Sequence, residues 1–357
     1  MVTMFADDKA ALSTKITTES NNSTRVLSWD GWRGLAITLV LCGHFYDIEW
    51  LWEDGMGVDV FFVLSAMLMS RILFEKRLCL RDFYIRRLSR IFPVLVCYVI
   101  AIYAFSWLYS IDFRISEIFA TLLFLRTYLP ADPGIWDTKV AIGHLWSLNV
   151  EEHAYVILSL LTLFFVNTQR IAYVLLALGT FTLLLSVYHY QNSTPDGFPL
   201  YLIRTESAVV FIFYSAGYGL LRRRLNWHLP VWVPVLCFAA AVVCYAQQLP
   251  LWLIFSASPV LLSIAVNHLD DVPDFVNAVL TFPVLRYLGL WSYSIYLWQQ
   301  FFYEYAWAFP YSKILAPVLA IVAGIMSYYI LENPTRQLIN NRWSSNPRYL
   351  TGVDEKQ

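Results

Sequence analysis

Ten apolar runs, each close to the length of a bilayer crossing, recur between residues 32 and 331 and leave this chain few folds. They cover about 32–50, 55–73, 92–110, 143–166, 171–188, 199–220, 231–247, 251–267, 284–307 and 314–331. A span needs roughly 20 predominantly apolar residues, and in hydrocarbon each backbone N–H and C=O must be satisfied internally, so such runs are helices. Composition agrees: 58% of residues are hydrophobic and 14% charged, against about 45–50% and about 25% in soluble domains. The expected fold class is all-α, a polytopic integral membrane bundle of about ten transmembrane helices. An eleventh apolar stretch, 117–129, is interrupted by Arg126 and closed by Pro130, and is expected to be a short re-entrant or interfacial helix.

Loop charge sets the expected orientation. With the N-terminus inside, the inner loops hold eleven Lys and Arg and the outer loops four, Arg114, Arg126, Lys139 and Lys313. That bias predicts both termini in the cytoplasm. Trp50, Trp52, Trp107, Trp136, Trp252 and Trp307 fall near the predicted outer ends, where an aromatic belt belongs. Residues 1–28 read as a disordered cytoplasmic tail, 29–334 as the membrane domain and 335–357 as a cytoplasmic C-terminal tail too short for a further catalytic domain. A net charge of −1 supplies no field for nucleic acid. The five cysteines, in or beside spans without paired spacing, imply neither a disulfide framework nor a metal site.

Polar residues inside the spans mark where chemistry can reside, because a charge in hydrocarbon costs on the order of 3 kcal/mol or more. Arg33 and His44 stand eleven residues apart in the first run. At ~3.6 residues per turn that is about three turns, so they share one helix face. Measured from the outer surface, His44 lies roughly 9 Å deep, Asp59 about 7 Å, Glu151 and Glu152 about 12–14 Å, and Arg204 and Glu206 about 7–10 Å. Imidazole suits proton abstraction from a hydroxyl near neutral pH, and a carboxylate on its second nitrogen would orient it. His44 with Asp59 or Glu151 is therefore the expected catalytic set; the competing reading is a set of ion pairs that fasten helices together. Glu152, Arg204, Glu206 and Glu332 are expected to be acceptor-site or structural polar groups. His153, His189, His228 and His268 are expected to be structural or interfacial.

After the second span the chain reads Arg86-Arg87-Leu88-Ser89-Arg90-Ile91-Phe92-Pro93. Topology alone produces basic inner loops, and for Arg222-Arg223-Arg224 that reading prevails. Arg87 and Arg90 would share a helix face, however, and guanidinium is suited to multidentate phosphate binding.

Taken in order, six segments resemble the acyltransferase type 3 family of integral membrane proteins. They are Asp30-Gly31-Trp32-Arg33-Gly34 with His44; Gly57-Val58-Asp59-Val60-Phe61-Phe62-Val63-Leu64-Ser65; the arginine-rich segment above; Trp146-Ser147-Leu148-Asn149-Val150-Glu151-Glu152; Ser292-Tyr293-Ser294-Ile295-Tyr296-Leu297-Trp298; and Glu332-Asn333-Pro334. Two positions depart from the family pattern: Ala66 where Gly is usual, and Gln299 where His commonly follows Tyr-Leu-Trp. On the second ground, no proton transfer is assigned to the ninth span.

The resemblance implies ten core helices and transfer of an acyl group, most often acetyl, from cytoplasmic acyl-CoA to a hydroxyl of an extracytoplasmic glycan. Lipopolysaccharide O-antigen and exopolysaccharide are the expected acceptors, and the bacterial inner membrane the expected location. It makes His44 the leading catalytic residue and supports Arg87 and Arg90 as phosphate ligands of acyl-CoA; Arg86 is expected to hold phosphate beside them, and Arg33 to hold the donor or to pair with a carboxylate. The expected partners are acyl-CoA, a glycan or lipid-linked glycan and membrane lipids, with no metal and no nucleic acid. The rival class is a transporter of a small metabolite or lipid-linked sugar, against which stands the lack of inverted halves with broken helices in matching positions.

Overall fold

The structure is a computed structural model that describes residues 27–46, 53–132, 134–192, 203–308 and 310–343. Trp50, Trp52 and nearly all of the tail expected over 1–28 lie outside the described residues. Among the described residues there is no strand. The helices are α1 (27–45), α2 (Glu53–Ser70, continued by a π turn over Arg71–Glu75), α3 (Leu80–Leu108), α4 (Ile115–Leu122), α5 (Trp146–Phe164), α6 (Thr168–Asn192) and α7 (Thr205–Ala208). They continue with α8 (Val210–Leu225), α9 (Trp232–Cys244), α10 (Trp252–Asn267), α11 (Asp274–Leu280), α12 (Pro283–Glu304), α13 (Ser312–Ser327) and α14 (Asn333–Trp343).

Four stretches are both long and apolar enough to cross a membrane: Gly55–Glu75, Leu80–Leu108, Thr168–Asn192 and Ser312–Trp343. The other long helices fall short in length or apolarity. The sixth expected span divides at Val209 into α7 and α8, and α9 has 13 residues, about 20 Å of helix against a hydrocarbon core of about 30 Å. Large apolar side chains nevertheless face outward around the bundle. Phe164 is 76% exposed, Ile314 69% and Trp107 75%, a surface suited to lipid and unfavourable in water.

The eleventh apolar stretch is the short helix α4 followed by turns to residue 132. Ile115 and Phe119 are exposed on it, while Arg126 is buried, 3.3 Å from Glu117 and bonded to the Pro130 and Gly134 carbonyls. After Pro334 the chain stays helical to Trp343, and α14 packs on α3, with Ser89 Oγ 3.1 Å from Asn340 Oδ1.

Glycines set how closely α1 approaches α11 and α12. An added Cβ would lie 1.7 Å from the Leu280 carbonyl oxygen at Gly31, 1.9 Å from that of Leu285 at Gly34, and 1.8 Å from that of Asp30 at Gly289. Small residues permit such backbone contact, the usual basis of helix association in lipid. Gly289→Val is expected to destabilise the bundle by roughly 3 kcal/mol, the upper end of overpacking costs, because the obstacle is backbone. An unchanged thermal midpoint in detergent would show that α1 and α12 can separate at little cost.

Candidate active site

Helices α1, α2, α3, α5 and α12 enclose a narrow cavity of about 120 Å³. One end brings together the start of α1, the end of α2 and the first turns of α3, and carries Arg33 and Arg90. The other end, lined by Phe62, Ser147 and Tyr296, lies where α5 begins and just past the middle of α12. Arg33 is paired with Asp30 at 3.1 Å and lies within electrostatic range of Arg90. Arg90 is in turn 3.9 Å from Glu332, whose second oxygen accepts from Ser294 Oγ at 2.7 Å. Two guanidinium groups from different helices thus converge on one mouth, with Asp30 beside Arg33 and Glu332 beside Arg90.

Midway along the wall, Arg87 joins α3 to α5. Its Nη2 is 3.1 Å from Glu151 Oε2 and its Nε 2.7 Å from Glu152 Oε1, with the guanidinium 3.6 Å above the Tyr155 ring. Tyr155 donates to Glu151 at 2.5 Å, and Ser65 bonds to both. Arg87, an expected phosphate ligand, and Glu151, an expected partner of the imidazole, thus pair with each other, and both line the cavity. Arg86, one residue away in α3, is not part of the cavity wall.

His44 meets neither expected carboxylate at Nδ1. That nitrogen is 2.7 Å from Gln299 Oε1, and the ring stacks on Tyr303 with centroids 4.8 Å apart. Gln299, fully buried on α12, is therefore the ring's orienting partner, although sequence reasoning removed the ninth span from proton transfer. Asp59 instead accepts from Tyr245 Oη at 2.6 Å, backed by Ser258 of α10. The reason is helical: one residue turns the side chain by about 100°, so Val58, Phe62 and Ser65 line the cavity while Asp59 leaves by another face.

The remaining sequence candidates lie apart. Glu206 accepts from Tyr128 Oη at 2.5 Å and lies 4.0 Å from Arg204, which stacks over Tyr128 at 5.9 Å; His153 bonds Thr205 Oγ1 at 2.7 Å beside them. His268 is a structural link between Tyr218 Oη, 2.7 Å away, and Asp271, 2.6 Å away. In that loop, burial alone would raise the Asp271 carboxyl, but hydrogen bonds from His228, His268 and Arg222 hold it at about 2. Arg222 and Arg223 are tied to Asp271 and Glu75.

Sequence reasoning passed over His144. It sits in the turn Gly143–Leu145 just before α5, is 4% exposed, and lies edge-on to Tyr98 and Tyr296 with centroids 5.6 and 5.1 Å away. Its position two residues before Trp146-Ser147, at the start of a span, was the available signal.

The chain is 25% identical over 327 residues to the peptidoglycan O-acetyltransferase OatA of Listeria monocytogenes, a match covering 83% of this chain and 51% of the relative. A Staphylococcus aureus protein provisionally named an O-acetyltransferase is 22% identical over 363 residues, 91% of this chain and 60% of its own length. YrhL of Bacillus subtilis, provisionally named a peptidoglycan O-acetyltransferase, is 25% identical over 355 residues, 86% of this chain and 54% of its own. The chain thus spans between half and three fifths of the length of these relatives. No solved structure matches it. Over residues 26–331, which take in every helix that lines the cavity, the chain matches the type 3 acyltransferase model, described as an acyltransferase domain, and it belongs to that family.

Proposed function

We propose that the protein is a membrane O-acetyltransferase that moves an acetyl group from cytoplasmic acetyl-CoA to a hydroxyl of a cell-surface glycan. The observation that carries this reading is the cavity, which runs from the cationic mouth at Arg33 and Arg90 to Tyr296, about one helical turn before Gln299, the residue bonded to the His44 imidazole. Phosphates of the donor would bind at the mouth while the thin pantetheine arm follows the cavity toward His44. Peptidoglycan, named in two relatives, joins lipopolysaccharide O-antigen and exopolysaccharide among the acceptors this chemistry serves. In this reading ten helices cross the bacterial inner membrane, both termini are cytoplasmic and the arginine mouth faces inward. The excess of Lys and Arg in the loops on that side supports the orientation.

Two measurements test it. Purified protein should release CoA thiol from acetyl-CoA only with a glycan acceptor, and in sealed vesicles of known orientation only when donor is supplied at the face bearing residues 74–90. Solute uptake without thiol release would place the chain among transporters. Arg90→Ala is expected to weaken CoA binding about 10- to 100-fold, the worth of a charge-assisted hydrogen bond of ~1.5–3 kcal/mol, with little change in kcat. Arg90→Lys should recover part of it, because an ammonium lacks the planar fork. Titration calorimetry with CoA reads this directly, and parent-like affinity in Arg90→Ala would remove the donor from this mouth.

A further inference from the structure

His144 is buried, and among the described residues neither ring nitrogen has a hydrogen-bond partner. The Leu297 carbonyl is near the ring but outside hydrogen-bond geometry. Buried polar atoms in folded proteins are almost always paired, so two such nitrogens on one ring point to a partner that arrives with a ligand. The ring lies behind the wall of the cavity's far end, with its centroid 5.1 Å from that of Tyr296. Tyr296 and Ser147 line that end; Tyr296 Oη donates to the His144 carbonyl at 2.7 Å, and Ser147 Oγ lies 2.6 Å from Tyr296 Oη. His44 is within electrostatic range of the same ring. Buried among aromatic rings, His144 has the character of a neutral imidazole, which offers one N–H donor and one acceptor nitrogen.

We infer that His144 is a catalytic residue whose N–H binds the acyl carbonyl oxygen of the donor and stabilises the oxyanion formed during transfer. The inference rests on the acyl-transfer reading above. As the acceptor hydroxyl oxygen bonds to the acyl carbon, its proton passes to His44 and the carbonyl π pair moves onto the oxygen facing His144. The intermediate collapses as that C=O reforms and the C–S bond breaks. The thiolate leaves with the bonding pair and takes the proton from His44, so ester and CoA thiol are the products. Two imidazoles then divide the work: His44, held by Gln299, moves the proton, and His144 polarises the carbonyl. An amide oxygen suits the first role because it fixes the ring without making an ion pair. The second needs a donor not engaged elsewhere when the acyl group arrives.

The test uses the full chain and an unreactive methyl-ketone analogue of acetyl-CoA with ¹³C at the carbonyl. On binding, its infrared carbonyl band should move to lower wavenumber in the parent and in His44→Ala, and return toward the solution position in His144→Leu. In turnover, His144→Leu should lower kcat about 10²- to 10³-fold, the range for loss of one oxyanion donor, with KM for acetyl-CoA nearly unchanged. His144→Gln, which restores an N–H, should recover part of both signals. A band at the same position in parent and His144→Leu, or parent-like kcat in His144→Leu, overturns the inference. If His144→Leu does not fold, an unshifted band in the parent overturns it alone. Failure of the acetyltransferase reading looks different: the parent then releases no thiol with any glycan, whatever the ketone band shows.

Discussion

Replacing His44 by alanine is expected to abolish transfer while the protein still folds and still binds CoA. Loss of a positioned general base typically costs 10²–10⁴-fold, and no other imidazole in the bundle has the same partners. Nδ1 of His44 is held by Gln299 and its ring face lies on Tyr303, so the ring is fixed from two sides. Gln299→Ala should therefore be milder than His44→Ala, because an orienting partner supplies only part of the effect. Gln299→Leu should mimic it, since both remove the amide. Thiol release and acceptor acetylation read the result, with CoA affinity as the folding control. Turnover of His44→Ala near the parent's rate would remove His44 as the base and leave the cavity without an assigned proton acceptor.

Arg87→Ala is expected to damage the fold as much as the chemistry. Breaking a fully buried ion pair from one side typically costs 3–5 kcal/mol, because the remaining charge is left buried without compensation, and with Arg87 11% and Glu151 21% exposed the cost here falls toward the lower end. Here two carboxylates, Glu151 and Glu152, would lose the same cation, and the Tyr155 ring would lose the guanidinium above it. The expected result is a drop in thermal midpoint much larger than that of Arg90→Ala, together with weak expression. Glu151→Gln paired with Arg87→Met should recover a large part of the loss, since removing both partners is far less costly than removing one. A normal midpoint in Arg87→Ala with weakened CoA binding would return Arg87 to the donor site.

Much of this was legible from the chain alone. Apolar runs of about 20 residues can satisfy their backbones only as helices, so class and helix positions follow from composition and length. Arg33 and His44 share a face because eleven residues make about three turns, and the short helix after Arg114 shows as an apolar stretch broken by one arginine. The number of clear spans did not follow. A run of apolar letters does not reveal where a helix breaks, as at Val209, or stops short, as α9 does.

Side-chain partnership was decided by tertiary structure. Depth estimates placed His44, Asp59 and Glu151 at comparable levels, but depth is one coordinate and partnership needs the rotation of each helix about its own axis. That rotation sends Asp59 to Tyr245, Glu151 to Arg87, and brings Gln299, 255 residues away, to His44. Gln299 has no charge, so arguments built on the cost of burying ions could not single it out. His144 was passed over for a related reason: a histidine beside a span's first residues reads as interfacial, and only the packing of Tyr98 and Tyr296 around it shows that it is buried. The sequence by itself determined that this is a helical membrane protein with an arginine at one end of its first helix and an imidazole near the other. Which side chains meet was left to the tertiary structure, because helix rotation and close backbone approach, set by glycines such as Gly31, Gly34 and Gly289, depend on every neighbouring helix at once.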